Sequence, residues 1–537
     1  MRSGPLRDLV NDGSRPVQLG RQLLLGATAV GVIAIYMLHV AFDYAAIGPY
    51  IVDDAFIYFR YAHNLATGHG LVYNPGEAVE GYTGFTWAMA LAAADWLGLP
   101  LILFAQCAGV LLGACTLWLT WRVARQLIGP GLISLLPVLF LSTNRTFCMW
   151  SVEGLETSLF GALLMATYCI WLAEVSRPHE PRFPLLGLAA AMLALTRPEG
   201  FLFAGVAALL YAADTRRTGR TRAFVLNSLA FLALILSHLL FRIAYYGDVL
   251  PNTAYAKITG FQPGLGLAYT SALAAENHLL RYMPIALLGA VYLAKAPEFR
   301  LPRRWMLAAV IVYAGYVISI GGDYFEFRFL DPVLPIWALW TVAGTASISA
   351  HISRPPVARL ALLALTLLWL SANVQSVLQP PEASLARTTP EAEAQYTRKF
   401  VAAGRWLALN LQPRDVIAIR PAGAIAYLSG ARCLDILGLN DRAIAHGASG
   451  MIAPDQSIGH QRLVSRDYLV RRGVTYFIGH PQISPFPARP GRGFISAEIE
   501  PGRFLIMDRL DPGSHLEDRI YLLSEHRGSL QGWAPAR

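Results

Sequence analysis

Two adjacent carboxylates, Asp53 and Asp54, stand just after the first long apolar run of this 537-residue chain. Adjacent side chains diverge, so the two do not do the same job. One can act as general base toward a hydroxyl, the other can hold a metal or a sugar hydroxyl. Their plain alternative is a helix start, where carboxylates cap free N–H groups and offset the dipole. Four further groups carry similar chemistry. Glu153 and Glu156 bracket a turn in WSVEGLETSLF, and Arg197 and Glu199 sit in the Pro-broken turn LTRPEG. YYGDVLPNTAYAK places Asn252, Tyr255 and Lys257 together, and GGDYFEFRFLDP adds Asp323, Glu326 and Arg328. A lysine is a compact phosphate partner, an arginine a bidentate one, and a tyrosine ring a face for a sugar or isoprenoid. Each set can equally be a capped turn or an ion pair. Together they suit a substrate carrying both a phosphate and sugar hydroxyls. The acids leave a divalent cation open as a cofactor; nothing else in the sequence asks for one.

The elements that must position these residues are membrane helices. Hydrophobic residues make up 55% of the chain and charged ones 15%, well under the quarter expected of a soluble domain. Apolar runs cover 23–42, 101–121, 155–175, 223–245, 332–350 and 357–377, each near the ~20 residues that span a bilayer. Shorter runs at 131–143, 184–196, 198–213, 282–295 and 305–320 bring the expected number of spans to 11. Counting alternate loops, one side holds 18 basic and 6 acidic residues, which marks it as cytoplasmic. The other holds 7 basic and 14 acidic residues, including every group above. This pattern requires that 84–98 not cross, so it is expected as a juxtamembrane or re-entrant helix within the first external loop, 43–100. The net charge of +9 is therefore a topology signal and not a nucleic-acid footprint.

After residue 377 the composition changes. Residues 378–395 read as a linker. Residues 396–537 read as a small extracytoplasmic α/β domain, with short apolar runs (DVIAI, GAIAYLSG, CLDILGL, VTYFIGH) between turn formers. The five cysteines are too few and too apolar in setting for a disulfide scaffold. No phosphate-loop, zinc-protease or serine-hydrolase motif is present.

The run DDAFIYFRYAHNLATGHGLVYNPGEAVEGYT resembles the first external loop of bacterial GT-C glycosyltransferases, and most of all the AftB-like arabinofuranosyltransferase family. The likeness continues through SVEGLETSLF, LTRPEG, YYGDVLPNTAYAK, GGDYFEFRFLDP and AGAIAYLSGARCLDILGLND. It implies a polytopic GT-C core, a periplasm-facing site and a C-terminal extracytoplasmic domain in the inner membrane. It implies a polyprenyl-phosphate sugar donor, D-arabinofuranose in that family, and a cell-envelope glycan or glycoconjugate acceptor. The family's aspartate pair maps onto Asp53 and Asp54. Its other motif residues map onto Glu153, Arg197, Glu199, Lys257, Asp323 and Arg328. A transporter or flippase of lipid-linked sugars is the rival reading; it would accept the cavity without a base.

Overall fold

The computed structural model describes residues 15–47, 51–176, 183–257, 260–295, 300–380, 387–447, 451–452, 462–485 and 494–509. The basic residues Arg2, Arg7, Arg177 and Arg182 lie outside them, as does the stretch 510–537 of the soluble half. Among the described residues, seven helices are long and apolar enough to cross a membrane: Gln22–Ala45, Leu101–Leu127, Thr157–Ser176, Thr221–Tyr246, Arg300–Ile320, Asp331–Ala350 and Pro355–Leu378. Shorter apolar helices occupy Leu132–Ser142, Leu185–Thr196, Gly200–Thr215 and Met283–Lys295. These coincide with the eleven apolar runs. Residues Phe85–Trp96 form a helix of 12 residues, ~18 Å long at 1.5 Å per residue. It packs on a second short helix, Asp53–Ala66.

Without a hydrophobic drive between helices in lipid, close backbone approach carries much of the packing. Helices Met283–Lys295 and Leu334–Ala350 meet at Gly289 and Gly344. A Cβ on either would fall 1.8 Å from the Trp340 carbonyl oxygen or 1.9 Å from that of Ile285. Aromatic side chains fill the rest, as where Tyr168 stacks on Trp305 with ring centres 5.4 Å apart.

The soluble half begins earlier than its apolar spacing suggests. Its first helix is Pro390–Asn410, not one starting at 396. Thr389 caps it, accepting from the Ala392 N–H at 3.3 Å, with Pro390 at the first position and Glu391 and Glu393 in the first turn. The linker is also tied down, because Thr388 N–H donates to the Tyr324 carbonyl at 2.7 Å. Beyond it lie β1 (Val416–Ile419), β2 (Arg432–Asp435), β3 (Met451–Ile452), β4 (Arg462–Leu463), β5 (Tyr476–Ser484), β6 (Phe494–Glu500) and β7 (Arg503–Arg509). The main sheet has the order β2-β1-β5-β7-β6. Its first three strands are parallel and the last two antiparallel. A short helix, Ala424–Ser429, connects β1 to β2. It packs against helix Asp53–Ala66 of the membrane half.

Candidate active site

Helix Asp53–Ala66 starts with both aspartates in its first turn, and the turn separates them. Asp53 is buried, 7% exposed. Its oxygens accept the N–H groups of Gly423 at 3.0 Å and Ala424 at 2.8 Å. These are free donors at the start of the β1–β2 helix, so Asp53 caps an element 370 residues away in the chain. Burial pushes its carboxyl up to about 7, and the two N–H groups only partly counter this. Gly423 makes the approach feasible, because a Cβ there would lie 1.8 Å from the Asp53 carbonyl oxygen.

Asp54 points elsewhere. It is half-buried. Among the described residues its carboxylate has no hydrogen bond and no ion pair. Burial raises its pKa above the ordinary aspartate value; the Lys257 and Arg328 charges pull it down, while Asp323 and Glu156 push it up. Lys257 ends the short helix Asn252–Lys257 and has no ion-pair partner among the described residues. Arg328 lies 7% exposed. It donates from Nε to Asp323 Oδ2 at 2.7 Å, with its guanidinium 4.9 Å from the Phe325 ring centre. Its two terminal nitrogens have no protein acceptor among the described residues. Burial lowers the Arg328 pKa, but Asp323, Glu156 and Asp54 raise it, and the net effect holds it above normal. A carboxylate without a hydrogen-bond partner among the described residues thus lies within electrostatic reach of two cations with spare donors.

Arg197 differs. All its nitrogens are engaged: Nη1 with Glu156 at 3.0 Å, Nε and Nη2 with Glu199 at 3.2 and 3.1 Å. Its face lies 4.9 Å from the Phe329 ring centre. Burial disfavours the Glu199 carboxylate, yet Arg197 more than compensates and its pKa is lowered. This buried trio holds the broken turn and the Glu156 turn together behind the site. Glu153 is 1% exposed, and its Oε1 has no hydrogen-bond partner. Burial, with Glu326 and Glu393 nearby, pushes its carboxyl far above the ordinary range.

Asn252 and Tyr255 face the soluble half. Asn252 donates to the carbonyls of Gly438 and Leu439 at 2.8 and 2.9 Å. Tyr255 donates to Asp248 at 2.6 Å and lies 4.2 Å from the His446 ring centre. The clamp includes residues outside the expected set. Arg60 donates to the Ala431 carbonyl at 2.7 Å and to that of Ala426, and Asn74 donates to that of Cys433 at 2.8 Å. Their signal was present, since both clamp partners lie in motifs read as resembling a family. A cavity of ≈ 390 Å³ on this seam, walled by Glu77, Asp441 and Arg472, does not include Asp54. Three of its charges pair with one another, Arg472 lying 2.7 Å from Glu77 and 3.1 Å from Asp441. No group of three His, Cys, Asp or Glu side chains among the described residues is arranged to hold a metal ion. Asp53 is occupied by N–H donors and is not free to ligate a cation.

Among solved structures, ArnT from Cupriavidus metallidurans bound to undecaprenyl phosphate aligns over 91% of this chain and 98% of its own, with TM-score 0.55 and 12% identity. The Archaeoglobus fulgidus oligosaccharyltransferase aligns over 85% of this chain and 69% of its own, with TM-score 0.53 and 10% identity. The fold is GT-C. This GT-C chain is also similar in sequence to curated terminal β-(1→2)-arabinofuranosyltransferases. It is 27% identical over 337 residues to that of Mycobacterium tuberculosis and 28% over 340 residues to that of Corynebacterium glutamicum. The matches cover 56% and 54% of this chain. The chain spans about half the length of these relatives, 53% and 47%. Residues 384–519 match a domain of unknown function, DUF8728.

Proposed function

We propose that the protein is a membrane glycosyltransferase. It moves a sugar, D-arabinofuranose, from a polyprenyl-phosphate donor to a hydroxyl of a cell-envelope glycan or glycoconjugate on the periplasmic side of the inner membrane. The observation that carries this is the unpartnered Asp54 carboxylate facing Lys257 and Arg328. The similarity to arabinofuranosyltransferases, and a shared fold with a protein seen with undecaprenyl phosphate, support the donor class.

The donor's isoprenoid stays among the helices while its phosphate meets Lys257 and the terminal nitrogens of Arg328. Both cations stabilise the charge that grows on the phosphate oxygen as the sugar C1–O bond breaks. Asp54 takes the proton from the acceptor hydroxyl, whose oxygen bonds to C1. Polyprenyl phosphate leaves with the bond's electrons, so the donor itself supplies the driving force. Asp53 is a positioning residue: it fixes the soluble half and so the start of the Asp54 helix. Arg197, Glu156 and Glu199 form the rigid wall behind.

The test is reconstitution. Purified protein in bilayers, given polyprenyl-phosphate arabinofuranose and an arabinan acceptor, is expected to form glycosylated product and free polyprenyl phosphate without another protein. A transporter would move donor across the bilayer and form no product.

A further inference from the structure

A second site stands at the opposite end of the membrane helices. Helix Thr157–Ser176 begins beside the Glu156 turn and runs for 20 residues, ~30 Å, away from it. At its far end a cavity of ≈ 560 Å³ opens, walled by Val175, Leu301, Asp214 and four arginines: Arg217, Arg220, Arg300 and Arg304. Among the described residues, four cations against one acid leave a charge of +3 on this wall. A positive-inside bias explains arginines in these loops. It does not explain why two loops far apart in sequence turn them onto one cavity with apolar walls.

The placement is also unfavourable as it stands. Arg300 and Arg304 lie one turn apart in the opening turns of helix Arg300–Ile320, and Arg220 stands at the N-cap of helix Thr221–Tyr246. Neither helix has an acid in its first turn. Like charges four apart repel, and cations at a helix N-terminus oppose the dipole. Arg220 is fastened, donating to the Glu174 carbonyl at 2.8 Å. Arg217 reaches Asp214 only at 3.8 Å. Arg300 and Arg304 have no ion-pair partner among the described residues. Among the described residues, Asp214 is the one acid on this wall against four arginines.

We propose that this cavity binds the phosphodiester headgroup of an anionic phospholipid, on the membrane face opposite Asp54. The arginine forks suit phosphate oxygens, and the apolar walls at headgroup depth suit the start of acyl chains. A free phosphate shares the first feature and not the second.

Native mass spectrometry of the full chain, titrated with phosphatidylglycerol, phosphatidylcholine or inorganic phosphate, reads this out. Phosphatidylglycerol should bind at least about tenfold more tightly than phosphatidylcholine. The triple variant R217Q/R300Q/R304Q should lose at least about tenfold of that affinity, while R354Q, an exposed arginine away from the cavity, keeps it. Single R300Q and R304Q variants give the same direction should the triple variant fail to fold. Equal binding of both lipids, or full binding by the variants, overturns the proposal. Displacement of the lipid by millimolar inorganic phosphate alone would assign the site to free phosphate and overturn it too.

Discussion

Replacing Gly423 by alanine should loosen the coupling between the two halves of the molecule. The new Cβ would fall 1.8 Å from the Asp53 carbonyl oxygen, 2.6 Å from its carbonyl carbon and 2.8 Å from its Cγ. All are backbone or stem atoms at the start of a packed helix, so the β1–β2 turn must retreat by more than an ångström. Both N–H bonds to the Asp53 carboxyl, now 3.0 and 2.8 Å, are then lost. Hydrogen bonds to a charged group contribute about 1.5–3 kcal/mol each, so roughly 3–6 kcal/mol of docking is at stake. A whole domain has only about 5–15 kcal/mol of net stability. The remaining clamps, Arg60, Asn74 and Asn252, keep the halves associated but loosen the start of helix Asp53–Ala66. Hydrogen exchange of the Gly423 and Ala424 amides should accelerate at least about a hundredfold, the melting temperature should fall, and sugar transfer should fall with them. Wild-type exchange at these amides together with wild-type melting would refute the capping role of Asp53.

Three other outcomes follow from the same geometry. Asp53 and Glu326 are raised by burial to about 7, Glu393 to about 8 and Asp435 to about 6. An acid whose pKa is higher folded than unfolded stabilises fully below its unfolded value, and that stability is lost as pH rises through the folded value. The melting temperature should therefore decline from about pH 4 to pH 8, and Glu393→Gln should flatten the upper part; a curve rising over this window would contradict the burial of these groups. Arg197→Gln leaves Glu156 and Glu199 buried without a cation, which costs about 3–5 kcal/mol, so it should lower folded yield in a thermal unfolding assay. Lys257→Gln should leave melting unchanged while raising the donor KM or lowering kcat at least about tenfold in steady-state transfer.

Much of this architecture was legible in the sequence. The eleven apolar runs correspond to the apolar helices, because burial in lipid leaves a compositional signal that no packing detail obscures. Helix Pro263–Glu276 escaped notice because its Gly-, Ala- and Ser-rich sequence is neither long nor strongly apolar. The early start of helix Pro390–Asn410 was hidden in a stretch whose Pro and acids read as linker, although Thr-Pro-Glu is also a helix-opening signal. Asp53 and Asp54 could be singled out by type and position. What separates them could not, since it depends on a contact with Gly423 across the whole fold. Arg197, Lys257 and Arg328 looked alike as cations. Only the geometry distinguishes the saturated Arg197 from the two with free donors.

The central claim is that Asp54 is the base and Asp53 the anchor. Single-turnover transfer from polyprenyl-phosphate arabinofuranose, measured for Asp54→Asn beside its melting temperature, tests it most directly. The account predicts a loss of roughly 10²–10⁴-fold in rate with melting unchanged, while Asp53→Asn lowers melting as well as rate. Transfer by Asp54→Asn within a few-fold of wild type would contradict it.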